Sequence, residues 1–543
     1  MAKILTVDEM RAIEKQADAA GFSYAHMMEH AGRSVARWVE HLCGGVHELR
    51  SVVLCGAGNN GGDGLVAGHW MKAAGAQVEV FLIKARPGSD ENAARLAADG
   101  IAPVLLRDES AYATLALALS RADIVVDALL GTGTRLPLKD PLPKILAAAN
   151  ASIDAAARRP LVVAVDCPSG VDCDTGEAAA ETLRADLTVT LAAAKRGLLQ
   201  FPAAEFTGRL VVGDIGLPIG FAPLEKATLQ MADPERVRAW LPRRPRSAHK
   251  GTFGRVVVVA GSVNYPGAAV LSAQAAYRVG AGLVTIATPA PVYEVVVPRL
   301  PEATWMILPD EMGVVAEAAY EVLTREMGQA EVMVVGPGFG VEKTTAAFVR
   351  RLVGVEEAGH PTRIGFDANL RASSAPRGWP PMVLDADGLR HLASIEGWWR
   401  HVPVGSVVTP HPGEMAALTG LSTEKVQEDR IGLAQRCARE WGVVVVLKGA
   451  FTIVASPSGE TLVQPFATAA LARAGSGDVL SGAIAGFMAQ GVPPWQAAAM
   501  GAYVHGRAGE LAEEEMQTSA AVLAGDIAQS LGAALAELLL KAP

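Results

Sequence analysis

The sequence predicts an α/β protein of two different domains in tandem, and three observations lead to that reading. The chain has 543 residues, more than the roughly 250–300 that one hydrophobic core usually holds. Short continuous apolar runs alternate with helical stretches, and apolar strands spaced by helices imply a parallel sheet covered on both faces. The alternation lapses once, in the Pro- and charge-rich stretch after Ile215, and then resumes with no repeat relating the halves. A junction at 222/223 follows, giving domains 1–222 and 223–543.

In chain order, Thr6 and Glu9 form a T-x-x-E capping box ahead of Met10 and Ile13, the mark of a helix start. The strands expected in the first domain are 51–54, 77–83, 103–106, 123–130, 161–166, 186–191 and 209–215, with Ala-rich segments such as ENAARLAADG between the early ones. In the second domain the runs are 255–261, 283–289, 332–340, 382–387, 406–414 and 443–456. Ligands of such sheets bind beyond the C-terminal ends of the strands.

Composition narrows the function. Half the residues are hydrophobic, enough for large cores, yet no apolar run reaches the roughly 18 residues a membrane span needs. The N-terminus MAKILTVDEM lacks the basic-then-apolar pattern of a signal peptide. Five cysteines (43, 55, 167, 173, 437) make an odd count without a C-x-x-C pair, which points to a reducing cytoplasm. A net charge of −9 argues against nonspecific nucleic-acid binding. The basic cluster RRPRSAHKG, 243–251, reads as a linker or part of an anion site.

The stretch CGAGNNGGDG, 55–64, places Gly56, Gly58 and Gly61 at G-x-G-x-x-G spacing after a strand. A dinucleotide fingerprint also needs an acid about 20 residues on, at the end of the second strand. Glu79 lies near the start of that strand instead, and Asp63 would sit where backbone N–H groups should receive phosphate. Two more strand-end loops gather at the same edge: DALLGTGTRLP, with Asp127, and VDCPSGVD, with Asp166 and Ser169. The first of these offers backbone N–H groups, two hydroxyls and an arginine, which suit a phosphate. Asn60, Asp127 and Ser169 offer hard oxygen ligands, suited to an alkali or alkaline-earth ion rather than zinc. Alone, each loop reads as a tight turn and each acid as a cap; together they read as a site.

In the second half, LARAGSGDVLSGAIAGFMAQG sets Gly475, Ser476, Gly477 and Asp478 before an amphipathic helix. Glycines free the backbone to aim several N–H groups at one point, and the helix dipole favours an anion there. Asp478 is expected to stay ionised and accept a proton from a hydroxyl, which makes a phosphoryl-transfer centre. Neither a P-loop G-x-x-x-x-G-K-[ST] nor a G-x-S-x-G elbow is present. LKGAFT supplies a lysine and a hairpin for nucleotide, TPHPGE puts His411 and Glu414 at a strand end, GPGFG allows close approach, and HKGTFG places Lys250 beside a strand.

These motifs, in order over nearly the whole chain, resemble the bifunctional NAD(P)H-hydrate repair enzymes. CGAGNNGGDG, GTGTRLP and DCPSGVD are similar to the signatures of the YjeF N-terminal type epimerase; HKGTFG, GPGFG, LDADGL, TPHPGE, KGAFT and AGSGDVLSG to those of the dehydratase. The resemblance implies a Rossmann-like three-layer sandwich followed by a ribokinase-like α/β domain. It implies NADH or NADPH hydrated at C6 (NADHX, NADPHX) as substrate, R and S epimers interconverted by the first domain, and ADP-dependent dehydration of the S form by the second. Asn59, Asn60, Gly61, Gly62, Asp63, Gly131, Thr132, Gly133, Thr134, Arg135, Leu136, Pro137 and Asp166 would hold the hydrate in the epimerase, with a potassium ion on Asn60, Asp127 and Ser169. Ala268, Gly338, His411 and Asp478 would touch it in the dehydratase. Lys448, Gly449, Ala450, Phe451, Thr452 and Gly477 would touch ADP, carried with magnesium. Ser476 stands where many relatives have threonine.

Catalysis follows from the chemistry. Hydroxide leaves badly; phosphorylation through Asp478 makes phosphate the leaving group, and the ring nitrogen's lone pair expels it. Asp166 would protonate the departing hydroxyl in epimerisation and deprotonate the returning water. A homo-oligomer in the cytoplasm is expected. Three rivals stay open: a ribokinase-superfamily small-molecule kinase fused to a nucleotide-binding module, an NAD-dependent dehydrogenase, and a noncatalytic nucleotide sensor.

Overall fold

Alternate residues of the first domain's strands are apolar on both sides, and the fold shows why. In the computed structural model, which describes residues 3–355 and 378–540, the chain forms two compact units, Ala2–Met231 and Ala232–Pro543. The sheet of the first has seven strands in the order Val104–Leu105, Gln77–Leu82, Arg50–Cys55, Ile124–Ala128, Leu161–Val165, Leu187–Leu191, Arg209–Gly213. Every neighbouring pair is parallel. Val53 and Cys55 point into one core with Val35, Val39 and Leu65. Val52 and Leu54 point into the opposite one with Leu115, Ile145 and Leu146. Both faces are therefore buried, which produces the unbroken apolar runs.

Arg50–Cys55 starts the sheet in its middle, with Gln77–Leu82 on one side and Ile124–Ala128 on the other. The strand order reverses there, so the loops after Cys55 and after Ala128 flank the point where an open α/β sheet leaves a crevice. The Thr6–Glu9 capping box is present and starts helix Val7–Ala19. The first unit also runs past the expected junction at 222/223, because Phe221, Leu224 and Ala227 pack against its apolar cluster of Leu5, Ile13 and Ile215.

The second unit carries the sheet order Thr461–Val463, Ile453–Ala455, Val444–Leu447, Val407–Val408, Met382–Leu384, Val332–Val335, Arg255–Val259, Leu283–Pro289, Thr304–Leu308. The pairs are parallel except at one margin, where 444–447, 453–455 and 461–463 run antiparallel. Thr461–Val463 and Thr304–Leu308 were not among the expected strands. The first has only three residues, and the second is an outer strand with three of its five residues at least partly exposed.

Helix Ser476–Ala489 is buried along nearly its whole length between Gly267–Arg278 and Pro494–Met516. Its glycine spacing is a packing requirement: a Cβ on Gly482 would lie 2.0 Å from the carbonyl oxygen of Ser272. Close helix contact holds the N-terminal turn of this helix against the sheet edge. The basic cluster is no loose tail, since Arg244 donates to the Gly280 carbonyl and lies 3.6 Å from the Phe253 ring centre. Among the described residues no helix is long and apolar enough to cross a membrane.

Two candidate active sites

In the first unit, the glycine loop leads into helix Asn59–Ala73, with Gly58 at its N-cap. Two of the fingerprint glycines serve backbone packing. A Cβ on Gly56 would lie 1.9 Å from the Leu129 carbonyl oxygen, and one on Gly61 2.0 Å from that of Gly56. Gly62 faces Met28 of the neighbouring helix, whereas the space beside Gly58 is open. The loop's carbonyls are clamped by one side chain: Arg86 donates to Ala57 at 3.0 Å, Gly58 at 3.2 Å and Gly56 at 3.4 Å. Asp90 receives its Nε at 2.6 Å.

Asn60, Asp127 and Ser169 come together through a short chain of hydrogen bonds. Ser169 Oγ donates to Asp127 Oδ1 at 2.5 Å, Ser169 N to Oδ2 at 2.8 Å, and Leu130 N to Ser169 Oγ at 2.9 Å. Asn60 Nδ2 donates to the Leu130 carbonyl at 2.8 Å. Asp127 is fully buried, and burial pushes its carboxyl pKa up against the pull of Ser169. The Gly131–Pro137 loop is less open than its composition suggests. The Thr134 hydroxyl closes the turn on Gly131 O at 2.9 Å, and exposed Arg135 donates to Thr134 O.

Asp166 sits at a strand end with φ of 66°, a left-handed conformation costing a non-glycine residue on the order of 1–3 kcal/mol. Its Oδ1 accepts from Leu191 N at 3.0 Å and forms an ion pair with Lys195. Lys195 is almost fully buried and also donates to the Leu191 carbonyl at 2.8 Å and Thr190 Oγ1 at 3.2 Å. A parallel bridge between Ala194–Lys195 and Ile4–Leu5 holds it there. Asp63, on the helix after the glycine loop, is buried, and burial raises its pKa well above the usual carboxylate range, with Asp166 and Glu14 adding to the rise. Burial likewise raises that of Glu14.

In the second unit, Gly475 caps helix Ser476–Ala489 in the left-handed region, φ 88°, and Asp478 lies in its first turn. The expectation that Asp478 stays ionised needs correction. Burial, then the nearby Asp385 carboxylate, pushes its pKa up to about 7, with Lys448 pulling the other way. A base poised there is half ionised at neutrality, near the optimum for proton transfer. Gly477 and Lys448 are brought together: a Cβ on Gly477 would lie 3.2 Å from Lys448 Nζ and 3.5 Å from Asp385 Oδ2. Lys448 Nζ bonds Asp385 Oδ1 at 2.6 Å and lies 3.6 Å from Glu414 Oε2. Burial alone would lower the pKa of this lysine, but the two carboxylates outweigh it and the shift is upward.

LKGAFT is a hairpin, as expected, between Val444–Leu447 and Ile453–Ala455. Arg430 lies under it, donating to the carbonyls of Ala450 at 2.7 Å, Lys448 at 3.2 Å and Leu447 at 3.4 Å. Phe451 takes a positive φ of 54° and is buried, while Thr452 Oγ1 closes on Gly449 O. His411 is the N-cap of helix Pro412–Thr419; its Nδ1 accepts from Gly413 N at 3.0 Å and Glu414 N at 3.3 Å. Burial lowers its pKa, so the ring is neutral with its proton on Nε2, 3.3 Å from Glu414 Oε1. Ala268 and Gly338 adjoin: a Cβ on Gly338 would lie 2.8 Å from that of Ala268.

Two family models match the chain: one described as YjeF-related protein N-terminus, over 24–197, and one as NAD(P)H-hydrate dehydratase, over 256–532. A bifunctional NAD(P)H-hydrate repair enzyme of Moorella thermoacetica is 39% identical over 512 residues, 92% of this chain and 90% of that protein. The chain belongs to the bifunctional NAD(P)H-hydrate repair enzyme family. The Escherichia coli member is 33% identical, covering 96% of this chain and 92% of its own. Among solved structures, an ADP/ATP-dependent NAD(P)H-hydrate dehydratase from Bacillus subtilis, co-crystallised with ATP and Mg2+, matches at 28% identity and TM-score 0.46, over 57% of this chain and 98% of that one. Membership favours repair of hydrated nicotinamide nucleotides over the kinase, dehydrogenase and sensor readings.

Several site residues escaped the sequence reading: Lys195, Glu14, Arg86, Asp385, Arg430 and His505. Asp385 had a signal, being the acid at a strand end in LDADGL. Lys195 had a weaker one, a lysine just past an apolar strand. His505 had none; it lies on helix Pro494–Met516, its Nε2 3.0 Å from Ser476 Oγ, with its pKa lowered to about 4 by burial.

Proposed function

We propose that the first unit epimerises the R and S hydrates of NADH and NADPH at the edge bearing Asp63, Asp127 and Asp166. The second unit dehydrates the S hydrate with ADP at the edge bearing Asp478, giving NAD(P)H, AMP and phosphate. The observation that carries this is the convergence of Asp478, poised near neutrality by burial, with Lys448 and Gly477 at the head of a buried helix. Asp478 takes the proton from the substrate hydroxyl. Lys448 and the N-terminal amides of the helix hold the phosphoryl charge; losing one such donor costs roughly 2.7–4 kcal/mol of barrier. His411 offers its Nε2 proton to the hydrate, and Ala268 and Gly338 line its approach. The 448–452 hairpin, kept open by Arg430, receives ADP.

The donors around Asp127 are hard oxygens, one of them anionic, which fits a potassium ion on Asn60, Asp127 and Ser169. Such an ion would neutralise the buried carboxylate and fix the two loops. Asp385 has a fully buried Oδ2 without a hydrogen-bond partner among the described residues and Glu414 is buried beside Lys448, a carboxylate pair that fits magnesium carried with ADP. The magnesium would screen phosphate charge. We further propose a cytoplasmic homo-oligomer.

The test mixes the protein with both hydrate epimers and ADP, then follows recovery of nicotinamide absorbance and formation of AMP. Full recovery with the natural protein and none with Asp478→Asn is expected. Recovery limited to the S fraction would sink the epimerase assignment, and a stable phosphorylated product would revive the kinase.

A further inference from the structure

Inverting the hydroxyl at C6 through a planar ring cation poses a stereochemical demand. The departing oxygen must be protonated on one face and the incoming water deprotonated on the other. One carboxylate held in one place serves one face only; the same logic gives inverting glycosidases two carboxyl groups. We propose that Asp63 and Asp166 divide this work, Asp63 as the proton donor and Asp166, fixed by Lys195, as the proton acceptor. The proposal rests on the epimerase reading of the first unit.

Their surroundings set them apart. Asp166 receives the Leu191 N–H and the buried Lys195 ammonium, so its carboxyl group is held in one orientation by charge-assisted hydrogen bonds. Asp63 is only 7% exposed and its side chain makes no hydrogen bond among the described residues. The charged groups facing it are Asp166, Glu14 from helix Val7–Ala19, Lys195 and Arg86. Neither cation is free to serve it. Lys195 is committed to Asp166, Thr190 and the Leu191 carbonyl, and Arg86 to Asp90 and the carbonyls of residues 56–58. A buried carboxyl without a counter-ion and with two acids nearby keeps its proton. A buried carboxyl without a hydrogen-bond partner among the described residues, beside a carboxylate paired with a buried ammonium, gives one site two different environments, one suited to an acid and one to a base.

The steps balance as follows. The C6–O bond breaks with its electron pair on oxygen, the Asp63 proton joins that oxygen, and water departs as the N1 lone pair forms C6=N1. A water on the opposite face adds through oxygen to C6, the π pair returns to N1, and one proton passes to the Asp166 carboxylate. The pair is then poised for the reverse reaction, and proton exchange with solvent resets it. Lys195 acts through Asp166 and is a positioning residue.

The experiment uses the full chain and the separated R hydrate without ADP, following appearance of the S hydrate above the uncatalysed rate. Asp63→Asn and Asp166→Asn are each expected to lower kcat about a hundredfold or more, with KM changed only a few-fold. The natural protein should give a bell-shaped pH profile; Asp63→Asn should lose its alkaline limb and Asp166→Asn its acidic limb. Lys195→Met should move the acidic limb to higher pH, a shift that a purely structural loss would not produce. Asp63→Glu, which keeps a carboxyl group, should recover at least a tenth of the rate, separating chemistry from misfolding. An Asp63→Asn protein within about threefold of the natural rate, with both limbs intact, overturns the proposal alone. A natural protein that fails to epimerise overturns the reading beneath it.

Discussion

The two units solve one local problem in opposite ways. Each runs a strand into a glycine-rich loop and then a helix, and each places an aspartate in or near the first turns. In the first, Gly56 and Gly61 are consumed by backbone packing at would-be Cβ distances of 1.9 and 2.0 Å, and the helix's aspartate, Asp63, is turned into a buried cluster of acids and Lys195. In the second, Gly477 faces Lys448 and Asp385, a Cβ there lying 3.2 Å from Nζ and 3.5 Å from Oδ2, and Asp478 beside it has a pKa of about 7. An arginine braces the recognition loop from behind in both, Arg86 by the carbonyls of 56–58 and Arg430 by those of 447, 448 and 450. Glycine spacing therefore reports that a loop is tight; what faces the loop decides whether it handles phosphate or protons.

The sharpest way to break the comparison is to remove the phosphate-side aspartate. Asp478→Asn is expected to cut ADP-dependent dehydration roughly 10²–10⁴-fold while R-to-S epimerisation persists, measured separately on pure epimers. Loss of both activities would mean that the two edges do not work independently. The same residue sets a pH dependence. With the carboxylate as the active form and a pKa of about 7, dehydration kcat/KM should rise about tenfold per pH unit below neutrality and level off above.

Next in size are the braces. Arg430→Met leaves three carbonyls of the hairpin without their donor, and an unsatisfied buried group costs about 1–3 kcal/mol. KM for ADP should rise about tenfold, the equivalent of roughly 1.4 kcal/mol, with epimerisation untouched. Arg86→Met should do the reverse, weakening hydrate binding in epimerisation and sparing KM for ADP. If either substitution affects both reactions equally, the braces are general stabilisers rather than local ones.

A smaller effect concerns stability. Ser169→Ala strips Asp127 of its hydroxyl donor, and thermal melting should show a loss of about 1–3 kcal/mol, partly restored by potassium if the ion sits there. Asp478 should show the opposite sign. Its folded pKa lies above the 3.8 usual for a free aspartate, so its ionisation opposes folding, and stability falls as pH rises from about 4 through 7. Above neutrality Asp478→Asn should melt later than the natural protein although it is inactive. The first unit offers a parallel at Asp63, whose pKa is also raised by burial.

Much was legible before any coordinates. The parallel sheets, the two-part chain, the edge on which the loops converge and the hairpin at Lys448 all follow from local pattern. Apolar runs report burial, turn residues report loops, and parallel topology places successive loops on one edge. Outer strands such as Thr304–Leu308 were not legible, because four apolar residues followed by Pro309, with no glycine loop behind them, do not separate a strand from another short buried segment. Nor could sequence show which glycines are used for packing. That depends on backbone from distant segments, Leu129 for Gly56 and Ser272 for Gly482.

Sequence by itself determined the residue types at each strand end and, through ordered motifs, the family. Tertiary structure alone decided which charges meet and which carboxyl groups are buried. Lys195 reaches Asp166 only because its strand pairs with Ile4–Leu5, and Asp478 rises toward neutrality only because burial and Asp385 surround it. The proton affinity of a carboxyl is set by desolvation and by charges brought near in space, and neither can be read from neighbours along the chain.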